Sequence, residues 1–516
     1  MLTRSIALGL SLATAAPVAA EPATFERRVV AILNAGGTPE AVQGRLDRVG
    51  AGSPLTSDQR VAIEAVRTLV RSKTRARGPS LAEAEAFAAR NPGSPASSFL
   101  LAEAALANDQ PERSADTLIA AAGQAGTLVE LVSPSAVSKL TAELDRKSDR
   151  KRTAELGKAL LGAGWSRGSA SLRSYLALAA IRDELAAAHL DGARRYLPAV
   201  VSPVSLHMML IDNRLAPLRT EAMERGGPRL ERAWREFLTR TRDEWLERGD
   251  ALSAAAYVEA LKQANAHDVL AGAFMARFMR GYNCPSDLVA RTIAPDLADS
   301  LAKIGRWTRA EDVLRRSGGV SPVVYGSMLL ERGELGRAGA LFARSLKAAG
   351  MPKDVEEQKA IAWLQAAADC AASNAGHGAG SRPDPKLLDV SARMFALLCS
   401  ERTEEARGAL IAALDDDEER ADALRWVQPF ADPPVQSAFR KEMSARIRAL
   451  QKDPAVREAA ARYGVVLDWP LTSAVPSPAE LAAGGRAPAP WHCGDESTWQ
   501  PSASGPESIR LPDTQP

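Results

Sequence analysis

Residues 291 to 352 read RTIAPDLADSLAKIGRWTRAEDVLRRSGGVSPVVYGSMLLERGELGRAGALFARSLKAAGMP, and this stretch carries one pattern twice. Leu297, Ala298, Leu301, Gly305, Trp307, Ala310 and Leu314 correspond to Tyr325, Gly326, Leu329, Gly333, Leu335, Ala338 and Phe342, each 28 residues further on. Apolar residues at helical spacing on both sides of a glycine predict two amphipathic helices per copy, joined by a tight turn. The small residue at 298 or 326 lets the helices approach, the glycine supplies the turn, and Ala310 or Ala338 marks the close crossing on the second helix. A third unit is expected upstream, with Trp245, Gly249, Ala254, Val258 and Leu261 in the same relative places.

Outward from this stretch, residues 25 to 461 are a succession of amphipathic segments punctuated by Gly, Pro, Asn or Asp. Only Tyr463 to Leu467 alternates as a strand would, and it is short. A hairpin that cannot bury its face alone gains a core by stacking on its neighbours, so the expected fold is all-α, an α-α superhelix. Roughly two dozen helices are expected at ~34 residues per hairpin. Trp307, Ala310, Tyr325, Leu329, Ala338 and Phe342 are expected to be buried between hairpins. The composition agrees: 46% hydrophobic, 25% charged and 5% aromatic excludes collagen-like, wholly disordered and multi-span membrane chains. A formal charge of +2 gives no global field toward nucleic acid or acidic lipid.

The residues and spacings of 291 to 352 resemble the tetratricopeptide repeat family of helix-turn-helix units. The resemblance extends to 235 to 268. Around Phe99, Leu106, Ala115, Ile119 and Ala122 it is partial, because Glu103 falls where a small residue belongs. If it holds, the groove residues follow the small and the bulky residue of each first helix. They would be Asp243 and Glu247, Asp299 and Lys303, and Ser327 and Glu331. The balance toward carboxylates suits a partner with basic or backbone-donor groups.

The first twenty residues have a secretory layout, with Arg4, an apolar run from Ile6 to Ala16, and Val18-Ala19-Ala20 before Glu21. They read as a signal peptide, residues 1–20, cleaved after Ala20. No later segment offers the ~18 uninterrupted apolar residues of a membrane span. The longest, Leu197 to Ile211, is broken by Pro198 and Pro203. An exported, soluble and periplasmic chain is expected. The helical repeat region takes 21–372, a Gly/Ser/Pro loop follows, and a C-terminal helical subdomain takes 386–469. Residues 470–516 hold nine prolines and few apolar residues, the composition of a mostly disordered tail.

In an oxidising compartment Cys284, Cys370, Cys399 and Cys493 permit two disulfides in three connectivities, or buried free thiols for Cys370 and Cys399. If Cys370 sits near a turn and Cys399 lies ~20 Å up the next helix at 1.5 Å per residue, those two do not pair. The five histidines, His189, His207, His267, His377 and His492, have no i, i+4 pairing and are read as surface or helix-cap residues. No metal site and no cofactor are expected, and no phosphate loop or nucleophile elbow is present in the sequence. Trp491-His492-Cys493-Gly494-Asp495-Glu496 is read as a tail patch docking by Trp491 and Trp499. The basic runs at Arg67 to Arg77 and Arg146 to Arg152 lack interleaved aromatics and are read as solvated helix ends, with no nucleic-acid partner. Met208 and Met209 are read as core.

The expected function is non-enzymatic, a scaffold or assembly factor of the cell envelope that binds a peptide or protein partner on a concave face. The alternative is a peptidoglycan-acting enzyme using the superhelix as a substrate platform, as lytic transglycosylases do. Nothing between Asp384 and Trp469 resembles their lysozyme-like catalytic motif.

Overall fold

The computed structural model describes residues 24–34, 39–51, 54–72, 80–248, 251–279, 293–317, 322–349, 352, 355–374 and 383–482. The signal-peptide layout, Gly249, Cys284, His377, the Trp491–Glu496 patch with Cys493, and the tail beyond 482 lie outside the described residues.

The chain is all-α. The helices in order are α1 (Phe25–Asn34), α2 (Pro39–Ala51), α3 (Ser57–Ser72), α4 (Leu81–Arg90), α5 (Pro95–Ala107), α6 (Pro111–Ala122), α7 (Pro134–Arg146) and α8 (Arg150–Gly162). Next come α9 (Ala170–Ala186), α10 (Leu190–Tyr196), α11 (Pro203–Ile211), α12 (Arg219–Gly226), α13 (Glu231–Arg248), α14 (Ala251–Gln263) and α15 (His267–Met279). The recognised repeats are α16 (Ala294–Lys303) with α17 (Trp307–Arg316), and α18 (Pro322–Arg332) with α19 (Leu335–Ala349). After them stand α20 (Val355–Asn374), α21 (Val390–Cys399), α22 (Thr403–Asp415), α23 (Arg420–Trp426), α24 (Ala438–Gln451), α25 (Pro454–Tyr463) and α26 (Pro478–Ala482). Among the described residues the only β pairing is one isolated bridge, Asp212 with Gly464. Proline opens α5, α6, α7, α11 and α25, where its missing N–H has no intrahelical acceptor to lose. Ser80, Ser133, Asp149, Ser169, Asp389, Ser437 and Asp453 cap helix starts with side-chain oxygens, an interaction worth about 1 kcal/mol each.

One turn recurs along the chain. A residue in the left-handed region ends the first helix, and the next N–H reaches back to the carbonyl five positions earlier, closing the helix end in a Schellman arrangement. Gly305 and Gly333 do this at φ +78° and +82°, with Arg306 donating to Leu301 O and Glu334 to Leu329 O, both at 2.8 Å. Asp109, Ser148, Ala188, Asn265 and Glu401 hold the same place at φ between 55° and 60°, with the same reach-back bond at 2.8–2.9 Å. Five residues beyond the turn the second helix is narrow: Ser114, Thr153, Ala193, Ala310, Ala338 and Ala406 are all buried, and Leu270 stands there in α15.

The turn at Asn265 shifts the register upstream. It makes α14 with α15 a further pair of this kind, in which Tyr257, Val258 and Leu261 take the places of Leu297, Ala298 and Leu301, while the expected turn between α13 and α14 lies outside the described residues, with Trp245 and Ala254 buried on either side of it. The stacking agrees, since α14 touches α16, α16 touches α18 and α18 touches α20. Near the N-terminus the turn at Asp109 puts buried Ala102, rather than Glu103, at the close-approach place. Ala310, Tyr325, Leu329, Ala338 and Phe342 are buried as expected. Trp307 is only partly buried, because it opens α17 at the edge of the stack, where the Arg332 guanidinium lies 5.7 Å from its ring centre. Met208 and Met209 are core.

Two apolar cores run through the stack, and they meet at α9. Leu176 belongs to a core built from Phe25 onward, while Ala177, Leu178 and Ile181 belong to a larger core that continues to Leu481. The helices on both sides of residues 375–382 share that larger core. Cys370 and Cys399 form a disulfide, with Cα atoms 5.2 Å apart, which corrects the expectation that they do not pair. The physical reason is the direction of α21. Leu387 and Leu388 before α21, and Ala392 and Ala396 on it, pack on Ala362 and Ala366 in the middle of α20. From there α21 runs parallel to α20 and brings Cys399 up to Cys370, where Asn374 donates to both carbonyls.

The C-terminal helices turn back on the middle of the chain. Val465 N–H donates to Ile211 O at 2.8 Å, and Gly464 is required there, since a side chain would collide with the Ile211 carbonyl. Arg150 of α8 donates to the carbonyls of Asp417 and Glu418 at 3.0 and 2.5 Å. The Pro-rich segment remains packed as far as 482: Trp469 is buried, the Trp234 indole donates to Leu471 O at 2.8 Å, and α26 rests on α15.

Candidate functional site

The recurrent turn fixes which side chains share a face. Counting back six and two positions from the left-handed residue gives Glu259 and Gln263 on α14, Asp299 and Lys303 on α16, and Ser327 and Glu331 on α18. These six stand at equivalent places on three helices that stack directly on one another. Asp299, Lys303, Ser327 and Glu331 are thus brought together. Asp243 and Glu247 are not; they lie exposed on α13, where Asp243 accepts from neighbouring Arg242 at 3.1 Å.

The strip is laced by ion pairs. Lys262 Nζ meets Asp296 at 2.6 Å and Glu259 at 3.7 Å, Lys303 meets Asp299 at 2.9 Å, and Gln263 donates to Glu259 at 3.0 Å. Glu331 accepts from Arg440 at 3.0 Å, and Arg440 belongs to α24, which packs across α18. One end of the strip is therefore already covered by a basic helix of the same chain. Apart from exposed Glu259 these side chains are half-buried, and burial shows in the acidity of several. It raises the carboxyl groups of Asp296 and Glu331 above the ordinary range, against the opposing pull of Lys262 and Arg440 respectively. On Lys262 burial works to lower the pKa, but Asp296 and Glu259 outweigh it and the ammonium is held more firmly.

His267 underlies the strip. Its Nδ1 accepts from the Ser300 hydroxyl at 3.0 Å, and Nε2–H donates to Asn265 Oδ1 at 2.7 Å, a tautomer assigned from the acceptor on Asn265. Burial, and then Lys303, push it down to about 4, so it is neutral at pH 7. A serine beside a histidine oriented by a third side chain has the layout of an activated nucleophile. Here Ser300 is 0% and His267 2% exposed, so no substrate reaches either, and the trio secures the turn instead. His207 is buried as well, edge-on to Trp469 with ring centres 6.0 Å apart, and burial followed by Arg425 pushes it to about 4. His207 corrects the reading of the histidines as surface or helix-cap residues, whereas His267, though buried, stands at the start of α15. His189, 70% exposed, does precede α10. Among the described residues no three His, Cys, Asp or Glu side chains converge on a metal-sized position.

Within the basic runs, Arg67 pairs with Asp47 and Glu64, Lys147 with Glu112 at 2.5 Å, and Arg152 with Asp116 and Asp149 at 2.8 and 2.7 Å. Sequence reasoning missed Glu259, Lys262, Gln263, Asp296 and Arg440. Glu259 and Gln263 were findable, because Asn enters the left-handed region more readily than most non-glycine residues and Asn265 could have set the register. Arg440 carried no such signal, since it lies 109 residues from its partner. No protein-family model matches the chain, and no curated protein is significantly similar to it.

Proposed function

We propose that this chain is a non-enzymatic, exported helical-repeat protein of tetratricopeptide-like build. It holds a peptide or protein segment on the face of α14, α16 and α18 as a scaffold or assembly factor of the periplasmic envelope. The observation that carries this reading is the strip itself, six polar side chains at equivalent places on three stacked first helices. Half-buried carboxylates and ammonium groups in a row recognise a chain with charges of both signs, because each is partly desolvated and already oriented by its neighbour. The contact of Arg440 with Glu331 supports this reading, since it is a guanidinium presented to the face from a helix. Export is supported by the secretory layout of residues 1–20 and by the Cys370–Cys399 disulfide, which persists in oxidising compartments.

Affinity capture of the mature chain from periplasmic extract tests the reading, with an Asp299→Ala/Lys303→Ala variant beside it. A protein or peptide recovered with the natural chain and lost with the variant is the expected result. Turnover of peptidoglycan with no partner recovered would overturn it.

A further inference from the structure

The corner between α12 and α13 is built unlike the other turns. Gly227 stands at φ +74°, Pro228 follows, and then Arg229 and Leu230 both lie in the left-handed region, at φ +50° and +64°. Two successive non-glycine residues there are strained, and such strain persists only where the surroundings enforce it. Leu230 is fully buried, and Gly226 makes room for it, since a side chain at 226 would collide with Leu230. An open pocket of about 750 Å³ lies at this corner, between α12 and the start of α13.

The wall of this pocket combines two arginines with an apolar patch. Arg219 donates to Asn213 Oδ1 at 3.0 Å, and its Nε is sealed from solvent with no hydrogen-bond partner among the described residues. Arg232 donates to the Glu224 carbonyl at 3.2 Å. Each guanidinium is therefore steadied on the rim by a neutral acceptor and keeps other donors for the pocket. Glu224 is the one carboxylate of the lining, against two arginines. Beside them, Met223 is 39% exposed, unusual for a large apolar side chain in this molecule, and Pro228 lies next to it on the wall.

We propose that this pocket binds an oxyanion, a carboxylate or a phosphate, carried on a ligand with a short apolar group. Arg219 and Arg232 take the oxyanion through charge-assisted hydrogen bonds, Thr220 adds a hydroxyl, and Met223 with Pro228 takes the apolar part. The strained corner holds Arg232 and Pro228 in place before the ligand arrives, which lowers the ordering cost of binding. The site lies apart from the strip on α14, α16 and α18, and it stands whether or not that strip binds a partner.

Ligand-observed saturation-transfer NMR on the full mature chain tests this, with hexanoate as the probe and inorganic phosphate as competitor at matched ionic strength. Hexanoate is expected to receive saturation, at least five-fold less in Arg219→Gln/Arg232→Gln and undiminished in Arg309→Gln on α17. Displacement by phosphate assigns the site to oxyanions in general, and binding without displacement assigns it to carboxylates. Should the double variant unfold, Met223→Glu, which places a carboxylate at the mouth, must abolish the transfer. Hexanoate transfer that is absent from the natural chain, or unchanged in these variants, overturns the proposal.

Discussion

Two neighbouring pairs of helices are brought together in opposite ways. In α18 and α19 a left-handed glycine reverses the chain at once, Gly326 lies against the Phe342 ring, and the helices run antiparallel. In α20 and α21 the start of the second helix packs on the middle of the first, the helices run parallel, and a disulfide fastens their far ends. The sequence of each pair shows two amphipathic segments around a break, yet the break means different things. A short break with a residue that accepts φ > 0 and a small residue five places on dictates a hairpin. A long one leaves the direction to whatever apolar residues it contains, here Leu387 and Leu388.

The comparison can be broken at its fastenings. Cys370→Ala/Cys399→Ala removes a link across 29 residues and should cost about 3–4 kcal/mol in urea unfolding. A loss below about 1 kcal/mol would mean that packing on Ala362 and Ala366 alone holds the parallel pair.

Acid tests the Asn265 turn against its glycine counterparts. His267 and His207 titrate near 6.5 when unfolded and near 4 when folded, so between these values the unfolded chain binds more protons. Stability should therefore be complete above pH 6.5 and fall as pH drops toward 4, by up to about 1.4 kcal/mol per pH unit for each histidine. His267→Gln should flatten its share of that slope, as read from urea midpoints between pH 4 and 7.

Inside the antiparallel hairpin, Gly326→Ala pushes a methyl group into the Phe342 ring and should cost about 2 kcal/mol. Adding Phe342→Leu should make the Gly326→Ala step less costly than it is alone, whereas additive losses would show that the two do not interlock. The smallest effects lie at the turns. Gly333→Ala at φ +82° should cost about 1 kcal/mol, while Ala188→Gly at φ +60° should gain less than about 1 kcal/mol, because relief of the left-handed alanine outweighs the added freedom of the unfolded chain. Thermal unfolding of the two variants checks the opposite signs.

The same distinction explains how far the sequence could be read. Gly305 and Gly333 announce their turns, so the all-α stack and the buried Ala310, Ala338 and Phe342 were legible. Asp109, Ser148, Ala188, Asn265 and Glu401 make the same turn without glycine, and three of them are residue types that give no hint of it. That hid the first-helix place of α14, and with it Glu259 and Gln263. The disulfide and the Arg440–Glu331 contact depend on the path of the chain over long separations, which local pattern does not encode.

Register and function meet in one measurement. A photo-crosslinking residue placed singly at Gln263, Ser327, Glu247 or Arg309 in the mature chain reports which surfaces a periplasmic partner touches. Gln263 and Ser327 are expected to yield the same crosslinked partner, while Glu247 on α13 and Arg309 on α17 yield none. Crosslinks from Glu247 together with Ser327, and not from Gln263, would contradict both the register of the stack and the face assigned to it.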